Sequence, residues 1–369
     1  MTNRRDDASP SPVPPSVASP VPSTVRGALL RAERVVDGAI ARLRGVPGRA
    51  TVIPHAGYEH AGGCELFARV VERPPAWMPE ADDGRLENLL GIGSLFTTRK
   101  IAGASVRVTD GDATHECVSD EEGYVRETLS PGAGDVDTFG RTHWRDLRAV
   151  PIEPAGGAVA VPMLRVGSSS RFAVLSDIDD TVMETGAENL ARNLWTTFTG
   201  NPLTRRVYPR VPELYRALHA HQDGVVNPIF YLSSSPWNLY DLIREVLVRA
   251  DVPWGPIFLR DYGLDERKFI ASGHGDHKLT HGRMVMDHLD GLPFVLIGDL
   301  GQADTSIYAQ LAREHPGQVA GVVIHRPSGR EHADKLVHVE EIDAMGIPVV
   351  VTKDYAEAER LARERHWID

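Results

Sequence analysis

The chain has 369 residues, 42% of them hydrophobic, so it is long enough for two folded units and apolar enough to fill their cores. A formal net charge of -11 leaves no basic footprint, which argues against a nucleic-acid partner, and two cysteines, Cys64 and Cys117, are too few for a disulfide framework or a clustered zinc site. A single bridge between them stays open. No leader-like apolar core follows Arg4 and Arg5 and no apolar run reaches membrane-spanning length, so a cytoplasmic protein is expected.

Residues 1–25 carry six prolines and five serines among small residues, a composition that buries too little apolar surface to order itself; a disordered tail is expected. Within 26–50, Ala28, Leu29, Ala32, Val35, Val36, Ala39, Ile40 and Leu43 recur at helical spacing, which predicts an amphipathic helix. Its arginines at 26, 31, 34, 42 and 44 outnumber Glu33 and Asp37 by three, so the helix either rests peripherally on an anionic membrane surface or packs on a folded domain.

From 51 to 170 the pattern shortens to β-rich runs such as ELFARVVE, ASVRVTD, YVRETLS and AVAVPML, separated by Gly, Pro and Asp. A small β-sandwich is expected, with a turn at Glu122-Gly123 joining two strands as a hairpin. From 171 to 369 the apolar runs RFAVLSD, NPIFYLSS, GPIFLRD, PFVLIGD, VAGVVIHR and IPVVVT alternate with helical segments. That alternation predicts an α/β domain: a doubly wound parallel sheet covered on both faces, with its chemistry at the carboxyl ends of the strands.

Three of those strands end in Ser or Asp. FAVLSDIDDT crowds Asp177, Asp179 and Asp180 at one strand end, where mutual repulsion calls for a cation. Asp299 follows FVLIG, Asp304 opens a predicted helix, and Ser233 follows IFYL. Asp177 and Asp299, joined by Asp179 and Asp304, are the candidate ligands of a hard divalent ion such as Mg2+. With its charge partly neutralised, Asp177 is the candidate nucleophile on phosphorus and Asp179 the general acid and base. Ser233 would hydrogen-bond a phosphoryl oxygen, with Ser234 competing for that role, and Lys278 would hold the negative charge. Thr181 would orient the nucleophile loop, and Asp180 would cap the turn.

D-I-D-D-T at 177–181, a strand-end Ser, a Lys and G-D-L-G-Q-A-D at 298–304 follow the four-motif order of the haloacid dehalogenase superfamily, which the chain resembles. Between 171 and 330, SDIDDTVMETG, NPIFYLSSSPWNLYDLI, GPIFLRDYG and LIGDLGQADTSIY are similar to the catalytic domain of the actin-patch-associated type of phosphatidate phosphatases. The resemblance implies a Rossmann-type haloacid-dehalogenase-like domain behind a β-sandwich, and Mg2+-dependent removal of phosphate from phosphatidate or a related lipid phosphate to give diacylglycerol. It implies the same roles for Asp177, Asp179, Ser233, Lys278 and Asp299. The sequence departs from the family at the fourth motif, where a common Ser, Glu and Pro are replaced by Leu300, Gln302 and Thr305, which puts the support of the metal in question.

Two other readings use the same residues: hydrolysis of a soluble phosphomonoester or phosphoprotein, and a catalytically silent phosphatase fold that binds a partner. Residues 183–225 are long enough for a small cap whose Arg205 and Arg206 either reach a headgroup or are solvated. Arg260 and Asp261 either pair or hold substrate. His274, His277 and His281 lack a fourth partner at zinc spacing and are read as surface residues. Trp237 and Tyr240 either pack on the sheet or line a lipid entrance.

Overall fold

A computed structural model of the chain describes residues 50–72, 100–130, 140–184, 207–260, 276–326 and 333–369. The expected tail, nearly all of the predicted amphipathic helix, and Arg205, Arg206, Asp261 and His274 lie outside the described residues.

Among the described residues the first half comprises β1 (Thr51–Pro54), β2 (Gly57–His60), β3 (Gly63–Val71), β4 (Ser105–Asp110), β5 (Ala113–Val118), β6 (Tyr124–Leu129), β7 (His143–Glu153) and β8 (Val159–Arg165). β3 pairs antiparallel with β1 and β2 along one edge and with β6 along the other. β2 continues parallel to β8, and β7, β4 and β5 follow in antiparallel order. Where two packed sheets are expected, the strands are hydrogen-bonded into one sheet. That sheet curls until β5 lies beside β6. The alternation of Val106 and Val108 with exposed Arg107 shows the period-2 rule at work, and these valines meet Leu66, Val70, Val125, Leu147 and Met163 in a common core. The expected turn is present at Gly123, whose φ is +81°, with Asp120 Oδ1 accepting from the amides of Glu122 and Tyr124. It is not a hairpin, because β5 pairs with β4 and β6 with β3. The turn carries the chain from one end of the sheet to the other.

Among the described residues the second half alternates between strand and helix: β9 (Ala173–Asp177), α1 (Val211–His219), β10 (Ile229–Pro236), α2 (Tyr240–Arg249), β11 (Ile257–Arg260), α3 (Asp276–His288), β12 (Phe294–Asp299), α4 (Asp304–Glu314), β13 (Val319–His325), α5 (Ala333–Ala344), β14 (Val349–Thr352) and α6 (Ala356–Glu364). All six strands are parallel, in the order β11-β10-β9-β12-β13-β14. Every residue of β9 and β12 is buried, which is why these runs read as continuous apolar stretches rather than alternating ones. One set of strand side chains, including Val174, Tyr231 and Ile297, packs with α1, α2 and α6; the other, including Leu175, Phe230 and Leu296, packs with α3, α4 and α5. The strand order reverses between β9 and β12, so their carboxyl ends flank the crevice where ligands bind in open α/β sheets.

The two sheets belong to one compact unit. Tyr58, Phe67 and Leu164 of the first join the core around α3 and α4, while Tyr124 joins the core on the opposite face of the parallel sheet. Cys64 and Cys117 are both free and buried in the first half, so the bridge left open by the sequence is not made. No described helix is long and apolar enough to cross a membrane.

Candidate active site

At the carboxyl end of β9, Asp177 is fully buried, and its Oδ1 lies 2.6 Å from Lys278 Nζ. Lys278, on the first turn of α3, reaches Asp304 Oδ1 at 2.8 Å and Gln302 Oε1 at 3.3 Å with the same ammonium group. Burial opposes its charge, but the carboxylates of Asp177, Asp304 and Asp299 outweigh that and hold Lys278 firmly protonated. Thr181 Oγ1 donates to the other oxygen of Asp177 at 3.1 Å. Asp304, at the start of α4, accepts the amide of Asp299 on Oδ2 at 3.0 Å. It therefore ties Lys278 to the end of β12.

Asp299 Oδ1 accepts from the amides of Gly301 and, at 2.9 Å, Gln302, but its buried Oδ2 has no hydrogen-bond partner. Asp177, Asp299 and Asp304 each place a carboxylate oxygen within 4.8 Å of the others. Burial first, then repulsion from Asp304, raises the pKa of both Asp177 and Asp299 well above the usual carboxylate range. One lysine among three buried carboxylates leaves negative charge to be balanced. The unpartnered oxygen belongs to a group of three carboxylates whose donor type and spacing could hold a divalent cation.

The Asp179 carboxylate, near enough to Asp177 to raise its pKa further, accepts from Ser233 Oγ at 2.6 Å and from Ser235 Oγ at 3.3 Å. Ser233 is fully buried, and its oxygen also accepts the Ser235 amide at 3.0 Å. Ser234 faces the other way, toward Gln302 Oε1 at 3.5 Å. Asp180 has φ of +59° and turns the loop, with its carbonyl bonded to His325 Nδ1 at 2.8 Å. Tyr355 braces the next carbonyl, donating to Thr181 O at 2.7 Å.

Residues 172–326 match the family described as "Phosphatidate phosphatase APP1, catalytic domain". Phosphatidate phosphatase APP1 of Saccharomyces cerevisiae is 28% identical over 171 residues, which are 46% of this chain and 28% of the yeast protein. An uncharacterised protein of Schizosaccharomyces pombe is 28% identical over 157 residues, 42% of this chain and 25% of its own. The chain thus spans about a quarter of the length of these relatives. Among solved structures, a carbohydrate acetylesterase from Xanthomonas citri aligns with a TM-score of 0.28 at 9% identity, over 80% of this chain and 65% of that one, a likeness that bears no weight.

Within the matched segment, two residues at the site carry contacts that strand-end reasoning does not reach. Gln302, read as a departure, donates through Nε2 to Asp179 O at 2.9 Å while its Oε1 faces Lys278 and Ser234, so a single amide joins three motifs. Ser235 holds Asp179; the SSS run was its only signal. Leu300 is wholly buried in the core beneath α4. His277 and His281, read as surface residues, are largely buried in the structure: His281 Nδ1 bonds His277 O at 2.9 Å, and the two rings meet edge to face.

Proposed function

We propose that the chain is a Mg2+-dependent phosphomonoester hydrolase of the haloacid-dehalogenase-like, doubly wound type, and that its substrate is phosphatidate, cleaved to diacylglycerol and phosphate. The single observation that carries the reading is the buried Asp177–Lys278–Asp304 chain beside the unpartnered Asp299 Oδ2. The family match over 172–326 and the name of the yeast relative support the lipid substrate.

In this reading Asp177 and Asp299 hold the ion, with Asp304 fixing Asp299 and Lys278 around it. When bound, Mg2+ supplies the positive charge that lets the crowded carboxylates and a phosphate dianion share one pocket. Asp177 attacks phosphorus and forms an aspartyl-phosphate as the glycerol oxygen leaves, taking its proton from Asp179. Asp179 then removes a proton from water, whose oxygen displaces Asp177 and releases phosphate. Thr181 fixes the unreactive oxygen of Asp177 and so aims the other. We assign the phosphate contacts to Lys278, Ser233 and Ser234, with Ser233 turning its hydroxyl from Asp179 to a phosphoryl oxygen when substrate is present.

The test is turnover with Mg2+ of phosphatidate in detergent micelles and of a panel of soluble phosphomonoesters, beside a chelator control and Asp177→Asn. Lipid turnover lost in both controls supports the proposal. Turnover of soluble esters alone would replace phosphatidate with a soluble substrate, and inertness toward every substrate would leave a binding module.

A further inference from the structure

We propose that the curled β1–β8 sheet holds the general acid/base Asp179 in place, acting through an aromatic clamp centred on His55; this rests on the phosphatase reading above. The chain runs without interruption from the serines that bind Asp179 into the clamp. Ser233 and Ser235 fix the Asp179 carboxylate, Pro236 follows, Trp237 opens a short 3-10 turn, and Tyr240 is the first residue of α2.

Both rings are gripped by the first half of the molecule. His55, buried between β1 and β2, stacks on Trp237 with centroids 4.9 Å apart and planes within 14°. Its other neighbour is the Tyr240 ring, at 4.2 Å. Tyr240 Oη accepts the amide of Ala56 at 2.7 Å, and Phe67 and Tyr124 complete the shell around Trp237 at 6.4 and 5.9 Å. Since a misplacement of ~1 Å can cost a hundredfold in rate, a loop carrying an acid/base residue gains more from such a clamp than a surface loop would. His55 is therefore a positioning residue. Trp237 and Tyr240, for which the sequence left open packing on the sheet or lining a lipid entrance, are taken up by this contact.

The test compares His55→Ala, the ring-keeping His55→Phe and Tyr240→Phe in the full chain, none of them in the reacting machinery. His55→Ala and Tyr240→Phe are expected to lower kcat about tenfold with KM within about twofold, while His55→Phe recovers most of the loss. Amide exchange in peptides covering 229–240 is expected to quicken in His55→Ala while β12 and α4 keep their protection. Wild-type kcat in both loosening variants, or a loss matched by the unfolded fraction seen by circular dichroism, would overturn the proposal. If the wild type proves inert on all phosphomonoesters, the phosphatase reading fails by itself. The exchange measurement still decides the clamp, because unchanged protection at 229–240 in folded His55→Ala removes it.

Discussion

Asp299 shows how charge is managed at the scale of one residue. Its pKa is raised, burial being the first cause and Asp304 the second, so keeping it ionised costs the fold stability that the unfolded chain does not lose. In the absence of metal, that cost grows as the pH rises above 3.8, the value for an unperturbed Asp. In Asp299→Asn the amide oxygen still accepts from Gly301 and Gln302, but the charge is gone. We expect this variant, at neutral pH in chelator, to melt a few degrees higher than the wild type, on the order of 1 kcal/mol. Added Mg2+ should raise the wild-type midpoint by linkage and leave the variant unmoved. Equal Mg2+ shifts in the two proteins would remove Asp299 from the metal set. At this scale the sequence was informative wherever a carboxylate ended a strand, because strand order and parallelism send Asp177 and Asp299 to one crevice. It picked out Asp179 but not the partners of Asp179, Ser235 and Gln302, which depend on the path of loops that have no periodicity.

Between elements, the approach of β12 to α4 depends on Gly298. A Cβ built there would lie 2.7 Å from Asp304 Oδ2 and 2.8 Å from a ring carbon of Tyr308, and Tyr308 is itself pinned by its hydroxyl to Ile297 O at 2.7 Å. The tyrosine cannot retreat, so Asp304 must. Gly298→Ala is expected to push Asp304 off Lys278, lowering kcat by about a hundredfold, as small misplacements at catalytic groups do, and destabilising the fold by roughly 1–3 kcal/mol through overpacking. Steady-state kinetics and urea titration check both numbers; wild-type behaviour in each would show that the strand and helix have slack. Fully buried parallel strands such as β9 and β12 were legible as unbroken apolar runs. Pairing in the first half was not, since alternation marks which face of a strand is buried but carries no information about its neighbour. The Asp120–Tyr124 turn reads the same whether it joins a hairpin or crosses between sheet ends.

For the molecule as a whole, the contact between the two sheets escapes a linear reading because His55, Phe67 and Tyr124 are isolated aromatics until folding gathers them around Trp237. Through His55 that contact, and separately the largely buried His277 of α3, make stability depend on acidity. Burial, reinforced by Arg69 and Arg126, lowers the pKa of His55 to about 3, and burial together with His281, Lys278 and Arg260 lowers that of His277 to about 3. Both rings are neutral in the folded protein at pH values where the unfolded chain, with histidines near 6.5, takes up protons. The sign follows: their contribution is complete above pH 6.5 and is lost as the pH falls toward 3. At about pH 5 each withdraws roughly 2 kcal/mol. Titration of Asp299 works in the opposite direction, so the diagnostic quantity is the difference between two proteins rather than one curve. Against the wild type, His55→Phe should show a slope of unfolding free energy on pH smaller by about 1.4 kcal/mol per unit between roughly pH 6 and 4, one proton's worth of linkage. Parallel slopes would mean that His55 keeps its proton in the folded state, and that the clamp between the sheets tolerates a charge.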